Sequence, residues 1–379
     1  MRVALFTPYL PLPAVTGGRI RISELSGRLA EGAEVHLFAT GLATREARAA
    51  LELHRERYAS VHLGIDRFAF LRRGVPRRVA RCRSGALRRA FSRLHAERPF
   101  DLAVVEHSYA APLALESDLP IVLNEHNVES RFHEASRDIS ERELAQFRSW
   151  EEKVWARASA IACVSKADAE HVRSRGGRHV RVIPNGVDTH ALEYLPPSSR
   201  RSRDVLFVGL MSHRPNIEAA EKMALEVMPE VWDKVPDARL VLCGHAPKPR
   251  VRELEGPNVL VTGSVPSTAP WMAAARVIVC PLLEGAGTSL KVVEALASGA
   301  PLVTTPVGRR GYPTEIDDLC DVTPIEGFAE RIVELLDSPG DDARAAQARN
   351  FAEGWDWREL AKRYTALVEG SLPVHRPRK

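Results

Sequence analysis

The sequence predicts two successive α/β domains, each a parallel sheet wound on both faces by helices. Three observations carry that expectation. Short apolar runs alternate with longer amphipathic segments along most of the chain. The runs are nearly continuously apolar, as strands covered on both faces are. The grammar also breaks once, at a segment rich in Pro, Ser and Arg, and then restarts. A chain of 379 residues suits two domains better than one core. Hydrophobic residues at 45% and charged residues at 27% make it globular.

The first domain is expected over 1–190, with strands at RVALFTP, EVHLFAT, SVHLGI, DLAVVEH, PIVLNEH, AIACVS and HVRVIPNG. Helical patterns such as RIRISELSGRLAEG and ERELAQFRSWEEKVWARA lie between them. HALEYLPPSSRRSR carries no period and marks a linker, taken as 191–203. DVLFVGL, ARLVLCG, NVLVTGS, ARVIVCP and PLVTTPVG then supply the strands of a second domain over 204–352. A last helix and tail occupy 353–379.

Composition removes several classes of protein. Cys82, Cys163, Cys243, Cys280 and Cys320 stand singly, with no C-x-x-C, which argues against a zinc site or disulfide framework and for buried, reduced thiols. No metal site is expected. The N-terminus enters a strand directly, and no run approaches the ~20 apolar residues of a membrane span. The expected location is therefore the cytoplasm. The net charge of +4 is unevenly spread: residues 72–93 hold nine arginines and no acid. Such a stretch is a solvated helix face, a contact for anionic lipid at the inner membrane face, or a seat for an acidic or phosphorylated partner. No stacking pattern or nucleic-acid motif accompanies it, so nucleic acid is not an expected partner.

In open parallel sheets ligands bind beyond the carboxyl ends of the strands, so function is sought there. Gly17 and Gly18 follow the first strand and open a helix, where backbone amides can approach an anion or simply form a turn. Two strands end in histidine, His107 and His126, the second flanked by Glu125 and Asn127. In the second half Gly209, Ser212, His213, Arg214 and Asn216 follow one strand. Gly244, Lys248 and Arg250 follow the next, and Gly263 and Val265 another.

The densest signal is EGAGTSLKVVEALASGAP, residues 284–301. Gly287 bares backbone amides, Thr288 or Ser289 is expected to cap the helix, and its dipole favours phosphate. Lys291 adds a formal charge. Glu294, one turn on, can take the two hydroxyls of a ribose. The plain alternative is an i,i+3 ion pair between Lys291 and Glu294, worth a few tenths of a kcal/mol. An acid on a helix apolar on nearly all sides needs a partner, which favours function.

Taken in order, GG, EHN, VSKADAEHV, VIPNGVD, FVGLMSHRPN, GSV and GAGTSLKVVEALASGAPLVTTPVGRRG resemble the retaining GT-B glycosyltransferases of the group 1, GT4-like family. The likeness runs from about residue 1 to 368. It implies two Rossmann-like domains facing a central cleft, the nucleotide-sugar donor held mainly by the second, and a last helix crossing back to the first. Lys291, Arg214 and His126 would be the catalytic groups, with His126 beside the transferred sugar. Glu294 would bind the ribose, and Thr288, Ser289 and Leu290 would hold the diphosphate or sugar through their amides. Gly263 and Val265 would meet the base. Gly18, Gly209, Asn216, Glu284 and Gly287 complete the donor set, and His107, Glu125 and Asn127 would lie on the acceptor side.

The sequence also departs from that family. A second glutamate common in it falls here on Ala286, with Glu284 two residues earlier. The places of its diphosphate-clamping Arg and Lys fall on Leu210 and Pro215. The resemblance implies sugar transfer from a nucleoside diphosphate to a hydroxyl acceptor with retention, UDP favoured over GDP or TDP, and no further cofactor. Without a D-x-D triplet, metal-independent transfer is expected. Two rivals stay open: a sugar-nucleotide epimerase of the same architecture, and a nucleotide-binding homologue without catalysis.

Overall fold

The computed structural model describes residues 1–372 except Ala43, Ala286 and Pro339. The chain divides into two compact units. One comprises Met1–Pro184 and the chain from Leu360 onward, the other Asn185–Glu359.

All seven runs expected in the first half are strands: β1 (Arg2–Thr7), β2 (Glu34–Thr40), β3 (Ser60–Gly64), β4 (Leu102–Glu106), β5 (Ile121–Glu125), β6 (Ala160–Cys163) and β7 (Val180–Val182). They pair in parallel in the order β3-β2-β1-β4-β5-β6-β7. Every residue of β1, β4 and β5 is buried, because helices cover both faces. Those helices are α1 (Gly17–Leu29), α2 (Arg45–Arg55), α3 (Arg77–Arg81), α4 (Gly85–Glu97), α5 (Glu129–Ser136), α6 (Glu141–Arg157) and α7 (Lys166–Ser174). Ser84, Ser140 and Ser165 cap α4, α6 and α7 by accepting a backbone N–H three residues on. Phe6, Phe38, Phe91 and Phe100 pack together on one face of the sheet.

The second unit holds β8 (Asp204–Val208), β9 (Arg239–Cys243), β10 (Val259–Gly263), β11 (Val277–Cys280), β12 (Leu302–Thr304) and β13 (Asp321–Val322), in the parallel order β10-β9-β8-β11-β12-β13. Five match the expected runs. β13 is short and lies in a polar stretch, so no apolar run announced it. Helices α8 (Arg214–Lys222), α9 (Met228–Lys234), α10 (Pro249–Arg252), α11 (Ala269–Ala274), α12 (Leu290–Ser298), α13 (Phe328–Asp337) and α14 (Asp342–Glu353) build its two buried layers. Helix α15 (Trp357–Glu369) starts in this unit and belongs to the first from Leu360.

The segment 191–203, expected as a linker, packs within the second unit. The Arg200 guanidinium donates to the carbonyls of Leu195, Met272, Ala275 and Ser298. Burial pulls its pKa down to about 10. Change of unit falls at Pro184/Asn185. A proline-rich stretch without periodicity is therefore tied down here by a carbonyl-satisfying arginine. The strand order reverses between β1 and β4 in one sheet and between β8 and β11 in the other, and such switch points open a crevice at the strands' carboxyl ends.

Candidate active site

In the second unit the residues after β8 and β11 meet the start of α12. Gly209 follows β8, and a Cβ there would stand 2.9 Å from the Asn216 side chain. Asn216 is buried at the start of α8. Its Nδ2 donates to Leu210 O at 3.0 Å and its Oδ1 accepts from Lys291 Nζ at 3.3 Å. The Lys291 ammonium also lies 5.2 Å above the Phe207 ring. Burial lowers its pKa, while Cys280 and Glu294 oppose the shift. No ion pair joins Lys291 to Glu294 among the described residues, so the plain alternative of a surface i,i+3 bridge does not hold. Glu294 is half-buried, and among the described residues its carboxylate has no hydrogen-bond partner. Burial pushes it up to about 7 against the pull of Lys291.

The loop before α12 is strapped in place. Asn185 Nδ2 donates to Thr288 Oγ1 at 2.8 Å and to Thr288 O at 3.3 Å. Tyr312 OH donates to Ser289 O at 2.8 Å, and Arg310 Nε to Gly287 O at 3.3 Å. Gly287 has φ +67°, which bars most side chains. Ser289 occupies the N-cap position of α12 yet makes no side-chain cap bond. Thr288 is held by Asn185 instead, so the expected side-chain cap is absent. Leu290 opens the helix; among the described residues the N–H groups of Leu290 and Lys291 have no backbone partner, while Val292 N donates to Ser289 O at 3.1 Å. Arg214 and Glu284 bind each other, with Nη2 at 2.6 and 2.7 Å from the two carboxylate oxygens and Nε at 3.0 Å from one. Gly263 ends β10 at φ +68° with open space where a Cβ would be, and Val265 follows half-buried. Ala286 lies outside the described residues. Gly244 is required by a close backbone contact: at φ +154°, a Cβ on it would run into Gly209 O.

In the first unit a second polar corner forms beyond β1, β4 and β5. Gly18 lies in the first turn of α1, where a Cβ would strike the Tyr9 hydroxyl and stand 3.6 Å from His126 Nδ1. His126 is 6% exposed and its Nε2 lies 2.6 Å from Glu106 Oε2. Among the described residues its Nδ1 has no hydrogen-bond partner. Burial, with His107 and Arg21 nearby, holds it well below the ordinary histidine range. Burial thus favours the neutral ring, whose Nδ1 is an acceptor in the tautomer that donates Nε2–H to Glu106. Glu106 also accepts from Ser26 and from Asn124 Nδ2, and burial raises it to about 7 against these bonds and Arg21.

His107, at φ +66°, stacks on His126 with centroids 4.0 Å apart, and its Nε2 lies 3.4 Å from Tyr9 OH. Its Nδ1 lies 3.4 Å from Glu129 Oε1, and Arg78 Nη1 lies 2.9 Å from Glu129 Oε2. Asn127 follows half-buried. Glu125, expected on the acceptor side, is 1% exposed. Strand alternation turns it away from Asn124 and Glu106, toward α6, where burial and Glu151 keep its carboxyl well above the usual range. It is a buried acid of the core. Glu106, Tyr9 and Asn185 join these two corners without having been expected there. AVVEH carried the signal for Glu106, a polar residue ending an apolar strand, and VIPNGVD that for Asn185, a polar residue in the loop past β7.

Two parallel Rossmann-like units, each with its polar corner at a switch point, are the architecture of GT-B glycosyltransferases. Solved structures agree: sucrose-phosphate synthase from Thermosynechococcus elongatus superposes with TM-score 0.71 at 17% identity, covering 98% of this chain and 99% of that one. Anabaena HepE in complex with UDP gives 0.70 at 15%, covering 98% and 100%. Residues 15–191 match the family model for Glycosyltransferase Family 4, and 202–338 that for Glycosyl transferases group 1. The chain belongs to this family, the group 1, GT4-like glycosyltransferases, and is an enzyme. The phosphatidyl-myo-inositol mannosyltransferase of Mycolicibacterium smegmatis is 26% identical over 310 residues, 77% of this chain and 77% of that protein.

Proposed function

We propose that this enzyme moves a hexose from a nucleoside diphosphate sugar to a hydroxyl acceptor with retention at the anomeric carbon, without a metal. The carrying observation is the pair on α12. Lys291 and Glu294 sit one turn apart, buried or half-buried, and attract each other without forming an ion pair among the described residues. A buried cation and a half-buried acid left apart suit a ligand that carries both an anion and a diol. The diphosphate then meets Lys291 and the uncapped N-terminus of α12, while Glu294 accepts from the ribose hydroxyls. Gly263 and Val265 face the base through backbone. Glu284 holds Arg214, and a donor competes for that arginine.

The bond from anomeric carbon to phosphate oxygen breaks, and one to the acceptor oxygen forms on the same face. The departing nucleoside diphosphate carries away the acceptor's proton. Positive charge at the leaving diphosphate is what the protein must supply, and Lys291 with the helix terminus supplies it. His107, His126 and Asn127 serve the sugar and acceptor. The relative's name supports a lipid-borne acceptor, with anionic lipid held through Arg72–Arg93.

The test incubates the enzyme with UDP-, GDP- and TDP-hexoses and a membrane lipid extract, with and without EDTA, and reads product by NMR. An α-linked product from an α-linked donor, with UDP the first expected and turnover unchanged by EDTA, supports the reading. An inverted product or loss on chelation contradicts those parts of it. Epimer formed without acceptor would replace it altogether.

A further inference from the structure

We infer that the connection from β3 to α4 is a docking element for an anionic bilayer, seating Phe68, Phe70 and Leu71 among the lipid headgroups. After β3 the chain makes one 3-10 turn, Ala69–Leu71. Ala69 alone turns inward, at 7% exposure. Phe68, Phe70 and Leu71 are 67%, 66% and 66% exposed. Scattered exposed apolar residues are ordinary, but three large ones on one turn form a patch that water disfavours. Leu42, 50% exposed, leaves neighbouring β2 at the same carboxyl edge, where Gly41 N donates to Gly64 O at 3.0 Å.

The charge around this tip selects the partner. Arg67, Arg72 and Arg73 flank it, all exposed. Arg72 pairs with Asp66. Arg67 and Arg73 have no carboxylate partner among the described residues, nor have Arg77 and Arg81 on α3. Guanidinium groups grip phosphate bidentately, while phenylalanine and leucine settle at the boundary of headgroup and acyl chain. A polyanion such as RNA would use the arginines and leave Leu42 and Leu71 bare. A neutral apolar partner would leave the arginines unmatched. An anionic phospholipid surface answers both.

The element is also tied to the first unit's polar corner. Arg78 of α3 holds Glu129, whose other oxygen faces His107, the ring stacked on His126. Docking would thus bring a lipid-borne hydroxyl toward that corner, a consequence that rests on the transfer reading above. The docking itself does not.

Sedimentation of the full chain with vesicles tests it, without donor or acceptor present. The protein is expected to sediment with phosphatidylcholine vesicles containing about 30% phosphatidylglycerol, and not with phosphatidylcholine alone. Phe68→Ser/Phe70→Ser/Leu71→Ser is expected to keep its circular-dichroism melt and lose about tenfold or more in partition. As a second readout, Phe68→Trp should become quenchable by brominated lipid. No sedimentation with anionic vesicles would overturn the proposal. So would a triple variant that partitions like the parent, which would mark a merely polyanion-binding surface, or F68W emission untouched by bromolipid. Glu294→Ala is expected to bind vesicles as the parent does, so failure of the donor site and failure of docking read out separately.

Discussion

Replacing Glu294 by glutamine removes a charge that α12 holds half-buried and without a hydrogen-bonding partner among the described residues. Burial raises the folded carboxyl to about 7 from an ordinary 4.5. Between those values the folded protein keeps a proton that the unfolded chain releases. Stability therefore falls as pH rises through that window, and above about 7 the full cost is present. At ~1.4 kcal/mol per unit, the ceiling is roughly 3 kcal/mol. Glutamine also removes the favourable neighbour of Lys291, so the net gain at pH 8 is expected at about 1–3 kcal/mol. Urea unfolding of parent and Glu294→Gln at pH 5 and pH 8 measures it. Glu106 and Glu151, also raised to about 7, are present in both proteins and cancel in the difference. A variant no more stable than the parent at pH 8, or a gap equally large at pH 5, would refute the reasoning. Stability gained by losing a site's charge is the signature of a group kept for its ligand.

Gly244→Ala places a Cβ against Gly209 O at φ +154° and is expected to cost at least ~3 kcal/mol or prevent folding, read by chemical denaturation. Lys291→Met, which can still pack on Phe207, is expected to change stability by less than ~1 kcal/mol. By calorimetry it should abolish the affinity a nucleoside diphosphate has over its nucleoside; unchanged preference for the diphosphate would remove Lys291 from the phosphate site. Gly18→Ala pushes on the Tyr9 hydroxyl, which faces His107, so kcat is expected to fall about tenfold with the thermal melt nearly unchanged. Full activity would separate Gly18 from the chemistry.

Strands were legible wherever burial on both faces made the run apolar, as in DLAVVEH and ARVIVCP. Asp321–Val322 was hidden because an edge strand this short carries no such run. The polar corners were legible as glycines, histidines and charges at strand ends, since the chain order of β1, β4, β8 and β11 brings those ends to switch points. Pairings were not. Asn185 with Thr288, Asn216 with Lys291 and Glu106 with His126 join residues distant in sequence, and nothing local specifies them. The side-chain cap expected at Ser289 is absent, and Glu125, expected on the acceptor side, is buried in the core, for the same reason. Side-chain direction is set by tertiary partners: the hydroxyl next door goes to Asn185, and the pleat of β5 turns Glu125 inward.

The most direct measurement is a thermal-shift panel of UDP, GDP, TDP, ADP and NAD against the parent and Glu294→Ala. A nucleotide at ~100 times its dissociation constant adds about 2.7 kcal/mol. Stabilisation by one nucleoside diphosphate, lost in Glu294→Ala, is the result expected if α12 forms the donor site. Stabilisation by NAD alone, or a diphosphate shift that survives the substitution, would contradict the assignment of that site.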